Sequence, residues 1–173
     1  MSLLHEIALT LIPGVGDVNG RRLVSYCGSA EAVFSEKKAR LIKIPGIGEV
    51  TAEAVYTSKT LERAGKELEF IRKYHIRPLF FTHTDYPARL KNCQDAPLML
   101  YYRGNADLNP QHCLSIVGTR RATSYGREFI LQLLESLQPF MPLIVSGLAF
   151  GVDTAAHRHC MALGIPTVAV LGH

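Results

Sequence analysis

The sequence predicts an α/β protein in which a helical domain precedes the first half of a doubly wound parallel sheet. Two observations predict this fold. A proline-glycine turn occurs twice in the helical part, at Pro13 and again at Pro45. Between residues 114 and 171, short apolar runs alternate with amphipathic helical segments in the order β-α-β-α-β, which is typical of a doubly wound sheet. We therefore expect two domains, residues 1–65 and residues 66–173.

The composition is that of a folded globular protein. Of the 173 residues, 47% are hydrophobic and 20% are charged, which excludes wholesale disorder. The formal charge of +4 suits a polyanionic partner without requiring one. The first residues lack the features of a signal peptide, and no apolar run reaches the ~20 residues of a membrane span. We expect a cytoplasmic protein with no membrane partner.

Cysteine and histidine spacing argues against a metal site or a disulfide framework. The four cysteines are scattered along the chain without a CxxC or CxxH pair: Cys27, Cys93, Cys113 and Cys160. We interpret them as reduced structural thiols. His157 and His159 are two residues apart on a predicted helix, so they do not share a face as metal ligands would. A packed or hydrogen-bonded His157 is the expected arrangement.

The helical domain contains an internal repeat. Residues 11–16 read Leu-Ile-Pro-Gly-Val-Gly, and residues 43–48 read Lys-Ile-Pro-Gly-Ile-Gly. Each copy lies between two apolar helical segments, which is the helix-hairpin-helix pattern. The glycines permit positive φ angles and close approach of a phosphate, which the N–H groups of the second helix would then face. The candidate phosphate contacts are Gly14, Gly16, Arg21, Arg22, Gly46 and Gly48.

The repeat is also compatible with a small helical bundle in which the glycines only terminate helices. The two copies differ in charge, because the first carries Arg21 and Arg22 on its outgoing helix whereas the second carries Glu49 and Glu53. If only one hairpin contacts phosphate, we expect it to be the first.

The segment between the repeat and the sheet is predicted to hold one helix and two strands. An amphipathic helix is expected over residues 61–75, because its apolar residues recur at helical spacing. Strands are expected at residues 79–82 and 98–102, and a polar loop follows at 105–112.

The parallel sheet is predicted from strands at residues 114–117, 143–145 and 167–171. The first two strands end in glycine and small polar residues where a helix could begin. Ligands bind at this edge of doubly wound sheets, where helix N-termini offer free N–H groups to phosphate. Asp153 is expected to cap the second helix.

The first turn lacks both the GxGxxG dinucleotide fingerprint and the Walker GxxxxGK[ST] pattern. In this turn, Gly118 lets a ligand approach the backbone closely and the Thr119 hydroxyl can donate a hydrogen bond. The Arg120 guanidinium can bind a phosphate with two N–H groups. Arg121 is also compatible with a solvated surface charge. No nucleophile and base are aligned locally, so we expect no catalytic residue and no cofactor. The candidate nucleic-acid contacts are Gly118, Thr119, Arg120, Arg121, Ser146, Gly147 and Gly151.

These residues resemble the DprA/Smf family, the DNA-processing protein A family. The resemblance rests on the segments 115–120, 125–126, 145–153 with His157, and 167–172, and on 85–90 and 97–105 upstream. It implies a SAM-like helical domain followed by an extended Rossmann-like domain. It also implies a binding protein, not an enzyme, that protects incoming single-stranded DNA and loads the RecA recombinase in natural transformation and recombination. In the family, the glycine-hydroxyl-arginine turn belongs to the DNA-binding pocket, which corresponds to residues 118–120.

The family's later pocket residues, which include an Arg-Asn-Arg motif, and its dimer surface have no counterpart in this sequence. We therefore expect an N-terminal fragment that binds DNA weakly by itself, with a homodimer in the full-length protein. Two other functions stay open. A nucleotide phosphoribohydrolase would carry a GGxGT-type turn with a following glutamate, which these residues lack. A helix-hairpin-helix repair module would use a catalytic lysine such as Lys59, which has no supporting acidic pattern here.

Overall fold

The computed structural model describes residues 2–172, which form two compact units. The first unit is Met1–Arg103 and the second is Gly104–His173. The elements of the first unit are α1 (Leu3–Thr10), α2 (Asp17–Cys27), α3 (Ala30–Ser35), α4 (Lys38–Leu41), α5 (Glu49–Tyr56), α6 (Thr60–Lys73), β1 (Arg77–Phe80), α7 (Ala88–Lys91) and β2 (Met99–Tyr102). Strands β1 and β2 are antiparallel, with Leu79 opposite Leu100.

The two predicted hairpins adopt the same backbone conformation. Gly14 and Gly46 have φ angles of +78° and +81°, which glycine adopts without a steric penalty. Gly16 and Gly48 are the extended N-cap residues of α2 and α5. The tandem helix-hairpin-helix arrangement predicted from the repeat is confirmed.

The first unit extends beyond the predicted domain boundary, which lies within α6. Polar contacts tie the segment before β2 to the first two helices. The Glu6 carboxylate, which is buried, lies 3.0 Å from His83 Nε2, and Asp17 Oδ1 accepts a hydrogen bond from the Leu98 backbone N–H at 2.7 Å. Because these contacts join residues more than 70 positions apart, helical periodicity could not reveal them. The assignment of residues 66–103 to the sheet domain stays a prediction.

The second unit contains the parallel sheet. Its elements are β3 (Cys113–Ser115), α8 (Ser124–Leu137), a 3₁₀ turn (Gln138–Phe140), β4 (Leu143–Ser146), α9 (Val152–Leu163) and β5 (Thr167–Ala169). The strand order is β3-β4-β5 and both pairings are parallel, so the predicted doubly wound start is confirmed. The first strand is shorter than predicted, and Val117 beyond it is largely exposed.

The core of the second unit lies between the sheet and its two long helices. The predicted inward stripe of α8 is present, since Ile130 and Leu134 are buried and Leu133 packs against them. Ile144 on the central strand and Cys160 on α9 are completely buried in the same cluster. This packing fixes where α8 and α9 begin relative to the strand ends. Within the described part of the chain, no helix is long and apolar enough to cross a membrane.

Candidate nucleic-acid interface

The two predicted glycine turns meet at one edge of the sheet, where a single carboxylate joins them. Asp153 Oδ1 accepts a hydrogen bond from the Gly118 N–H at 3.4 Å, and its Oδ2 accepts one from the Gly147 N–H at 3.2 Å. The Asp153 side chain is buried. The prediction that Asp153 caps its own helix is wrong: Gly151 is the N-cap of α9, and no side chain caps it. The carboxylate holds two turns that lie far apart in sequence.

Ser146 contributes to the strands beneath the turns. Its buried hydroxyl donates to the Ile116 carbonyl at 2.6 Å, and its own carbonyl accepts a hydrogen bond from the Val170 N–H at 2.8 Å. These bonds tie β4 to both neighbouring chain segments. Direct contact of Ser146 with a ligand stays a prediction, and the structure shows its hydroxyl engaged within the protein.

Residues 118–121, here called the arginine loop, lie across the start of α9. The Thr119 carbonyl accepts a hydrogen bond from the Val152 N–H at 3.1 Å. Gly151 has a φ angle of +88°, and a Cβ atom at this position would overlap the Thr119 carbonyl oxygen and the backbone of Arg120. The expectation of free N–H groups at this helix terminus is therefore wrong for Val152, because the loop itself occupies that N–H group.

The arginine loop is held from both ends and exposes two cations. The Thr119 hydroxyl accepts a hydrogen bond from the Arg121 N–H at 3.2 Å. On the other side, Arg127 Nη1 donates to the Ala122 carbonyl at 2.7 Å. Both Arg120 and Arg121 are exposed, and among residues 2–172 neither forms an ion pair with an acidic side chain. An ordered loop with two solvent-facing guanidinium groups suits phosphate recognition.

His157 lies beneath the same edge and is hydrogen-bonded, as predicted. Its Nδ1 atom lies 2.7 Å from Thr167 Oγ1, and that hydroxyl donates to the Ile144 carbonyl at 3.0 Å. Because the hydroxyl proton is already used, Thr167 accepts from His157, and the imidazole carries its proton on Nδ1. Burial lowers the pKa of His157, although nearby Asp153 acts in the opposite direction.

This environment predicts a loss of stability in acid. Because the pKa of His157 is lower in the folded state than in the unfolded state, the unfolded chain binds the additional proton as the pH falls below about 6.5. Stability should therefore fall with pH below this value, by at most about 1.4 kcal/mol per pH unit from this one group. Urea unfolding of wild type and His157→Gln between about pH 5 and 8 would measure it. If the free energy of unfolding depended on pH in the same way for both proteins, the prediction would be wrong.

The helix-hairpin-helix candidates differ in how available their side chains are. Arg21 Nη1 donates to the Cys93 carbonyl at 3.1 Å, and the guanidinium lies 5.3 Å from the centre of the Phe81 ring. Arg22 is exposed and lies against Gly46 of the second hairpin. These contacts favour Arg22 over Arg21 as a phosphate ligand. Contact of either hairpin with a nucleic acid stays a prediction.

Several exposed side chains near the arginine loop were not predicted from the sequence. Phe150 is 83% exposed and immediately precedes Gly151. On α8, Tyr125 and Phe129 are both exposed, and their rings are stacked with centroids 6.4 Å apart. The four-residue spacing of this pair was a detectable signal, because such residues share a helix face. The exposure of Phe150 could not be detected, since it depends on how the turn is placed.

Three comparisons with known proteins relate this edge to one family. A family model described as DNA recombination-mediator protein A matches residues 77–173, and a SAM-like helix-hairpin-helix tandem model matches residues 6–58. The chain belongs to the DprA/Smf family. The arginine loop and both glycine turns lie within the segment that the DprA model matches.

The chain is similar to proteins named for DNA processing. It is 39% identical to DNA processing protein DprA of Streptococcus pneumoniae over 87 residues, which is 50% of this chain and 30% of that protein. It is 29% identical to Protein Smf of Synechocystis over 172 residues, which is 97% of this chain and 43% of that protein. The chain thus spans less than half the length of these DprA/Smf relatives.

A solved structure supports the same assignment. The X-ray structure of DprA from Streptococcus pneumoniae matches with a TM-score of 0.76 at 27% identity, covering 98% of this chain and 57% of that one. The likeness therefore includes both the helical part and the sheet. The predicted combination of a SAM-like helical domain with a Rossmann-like DprA sheet is confirmed.

The described cysteines and other potential metal ligands do not form a metal site, and the names of the DprA relatives refer to DNA. All four cysteines are free, and within residues 2–172 no group of three potential metal ligands is present. The DprA/Smf relatives are named as DNA-processing proteins. The family description and these names thus refer to DNA processing and recombination in the relatives.

Proposed function

We propose that this chain binds single-stranded DNA through the arginine loop. One observation carries the proposal: a loop held at both ends presents Arg120 and Arg121 to solvent at the sheet edge where the two glycine turns meet. Such an edge is where doubly wound sheets bind their ligands. Two guanidinium groups on an ordered loop can contact successive phosphates without a large ordering cost.

The proposal assigns different tasks to the predicted site residues. The side chains of Thr119, Arg120 and Arg121 would contact the DNA. The N–H groups of Gly118 and Gly147 would position the loop, since both donate to Asp153. A single strand is favoured over a duplex because exposed aromatic rings near the loop can stack only on unpaired bases.

In the whole protein we infer a wider role. The family is described as a recombination mediator, and the relatives are named as DNA-processing proteins. These names support a role in DNA processing and recombination. From the resemblance to the family we infer a binding protein, not an enzyme, that protects incoming single-stranded DNA and loads the RecA recombinase. The inference includes a homodimer and a cytoplasmic location. Co-sedimentation of the full-length protein with RecA and single-stranded DNA tests the partner directly.

The main alternative, a phosphoribohydrolase, gains no support from the site. Such an enzyme needs a free carboxylate beside its glycine turn. The acid found at this edge is Asp153, and both of its carboxylate oxygens accept hydrogen bonds from backbone amides.

Replacing Arg120 by alanine tests the proposed function. Loss of a charge-assisted contact typically costs about 1–3 kcal/mol, so binding of a fluorescent oligothymidylate should weaken by about 5- to 150-fold. The log of the association constant should also depend less steeply on log salt, with a slope reduced by about 0.7 for one lost phosphate contact. Arg63→Ala, at an exposed arginine on α6, is the matched control. Equal anisotropy titrations for wild type and Arg120→Ala would overturn the assignment of the arginine loop.

A further inference from the structure

A groove opens on the second unit beside the arginine loop. It has a volume of about 360 Å³, and its walls include Arg127 from α8, Phe150 from the second turn, and Arg158 and His159 from α9. Gly151 forms part of its lining. We call it the α8–α9 groove.

The groove is suited to an anion. It is lined by two arginines and a histidine, and no acidic side chain lines it. Arg158 is exposed, and among residues 2–172 it has neither a salt bridge nor a hydrogen bond. Arg127 donates one N–H to the Ala122 carbonyl, and its guanidinium has four further N–H groups.

The groove is continuous with the proposed DNA site. Gly151 lines the groove and also lies directly under the backbone of Thr119 and Arg120. The groove and the arginine loop therefore share Gly151, so a strand bound at the loop lies next to the groove. Phe150 lines the groove and immediately precedes Gly151, and 83% of its surface is exposed and therefore accessible to a base.

We propose that the α8–α9 groove holds the next nucleotides of the single strand bound at the arginine loop. Arg158 and Arg127 contact backbone phosphates, and an unpaired base stacks on the Phe150 ring. This proposal rests on the proposed function. It adds a second segment to the site and explains why a cationic cavity and an exposed aromatic ring lie together.

Oligonucleotide length separates the two segments experimentally. We expect Phe150→Ala and Arg158→Ala to weaken binding of oligothymidylates about 16 nucleotides long by about 5-fold or more, and to weaken binding of those about 4 long by a clearly smaller factor. Arg120→Ala should weaken binding at every length. Arg158→Ala should also lower the salt slope of the long oligonucleotides by about 0.7. Arg127 is left intact because it also holds the arginine loop.

The control for Phe150→Ala is Phe140→Ala, which removes another exposed phenylalanine of the same unit, in the 3₁₀ turn before β4. A strand carrying 2-aminopurine reports stacking, since the base fluoresces more strongly when it is unstacked. Its emission should fall on binding wild type and Phe140→Ala, and should fall less on binding Phe150→Ala.

The outcomes distinguish the two proposals. If wild type binds no oligonucleotide at any length, both proposals fail. If Arg120→Ala loses affinity while both groove variants match wild type at every length, only the groove proposal is overturned. A loss for the groove variants that is equal at all lengths would also overturn it, because the groove would not then be a separate segment.

Discussion

Replacing Gly151 by alanine should both destabilise the second unit and weaken DNA binding. The residue has a φ angle of +88° and a ψ angle of −120°, a conformation that side chains with a Cβ rarely adopt. The new methyl group would also overlap the backbone of Thr119 and Arg120. Strain and overpacking typically cost about 1–3 kcal/mol each, a large part of a domain's total stability. Urea unfolding measures the loss of stability.

The expected loss of DNA binding in Gly151→Ala has a specific structural cause. To relieve the overlap, the arginine loop must move away from α9 and lose the hydrogen bond from the Val152 N–H to the Thr119 carbonyl. Arg120 and Arg121 would then lose their fixed position. Oligothymidylate binding measured by fluorescence anisotropy should fall at least as much as in Arg120→Ala.

Gly164→Ala is the matched control for Gly151→Ala. Gly164 ends the same helix with a φ angle of +71°, but a Cβ atom there would have no neighbour within 4 Å. Gly164→Ala should therefore lower the free energy of unfolding only through the left-handed backbone strain, by about 1–2 kcal/mol, and should leave DNA binding intact. If the two variants lose equal stability and both keep full affinity for DNA, the proposed role of Gly151 is wrong.

Replacing Asp153 by alanine should separate the two glycine turns. Its carboxylate is the common acceptor for the Gly118 and Gly147 N–H groups, and hydrogen bonds to charged groups contribute about 1.5–3 kcal/mol. The Gly118 bond is long, so we expect a total loss of about 2–4 kcal/mol in the free energy of unfolding. Denaturant unfolding, together with hydrogen exchange at the two amides, provides the measurement.

Asparagine at this position refines the test. Its amide keeps one acceptor oxygen but turns an NH₂ group toward the other backbone N–H, so Asp153→Asn should lose most of the same stability. Asp107→Ala is the control, because among residues 2–172 the Asp107 side chain accepts a hydrogen bond only from the Asn109 N–H, within an exposed loop. It should change stability by no more than about 0.5 kcal/mol. Wild-type stability in Asp153→Asn would show that the carboxylate does not hold the turns.

The position of Asp153 changes how this sheet edge must be understood. From residues alone, the edge is a generic helix-terminus anion site with exposed backbone amides. In the structure, Asp153 and the Thr119 carbonyl occupy three of those amides. If the arginine loop binds DNA as proposed, recognition of the phosphates therefore depends on the arginine side chains. We expect affinity that is sensitive to salt and weak for any single phosphate.

The elements of this fold could be predicted because their signals are local. Glycine turns followed the first two strands of the sheet, and the apolar stripe of α8 stood at helical spacing. The repeat of the hairpin glycines also appeared directly, since both copies carry the same residues at the same offsets. For His157, a hydrogen-bonded position was the expected arrangement, and the structure has it.

The details that local patterns could not reveal involve contacts between residues that lie far apart along the chain. Helix-capping statistics favoured Asp153 as an N-cap, but the Gly118 amide, 35 residues earlier, competes successfully for its carboxylate. Arg21 follows a hairpin glycine as a phosphate ligand would, yet the carbonyl of Cys93, 72 residues later, accepts its N–H. The first compact unit likewise extends to Arg103 through contacts such as Asp17 with Leu98.

By itself, the sequence determined the kinds of elements, their order, the parallel sheet and the family, because periodicity, turn residues and motifs are properties of short segments. Only the tertiary structure decided which amides are occupied, which arginines face solvent, and that Phe150 stands exposed beside a cationic groove. Those features depend on where distant backbone atoms meet. Hydrogen-bond donors and acceptors pair with whatever the packing brings within about 3 Å, and no local pattern encodes that choice.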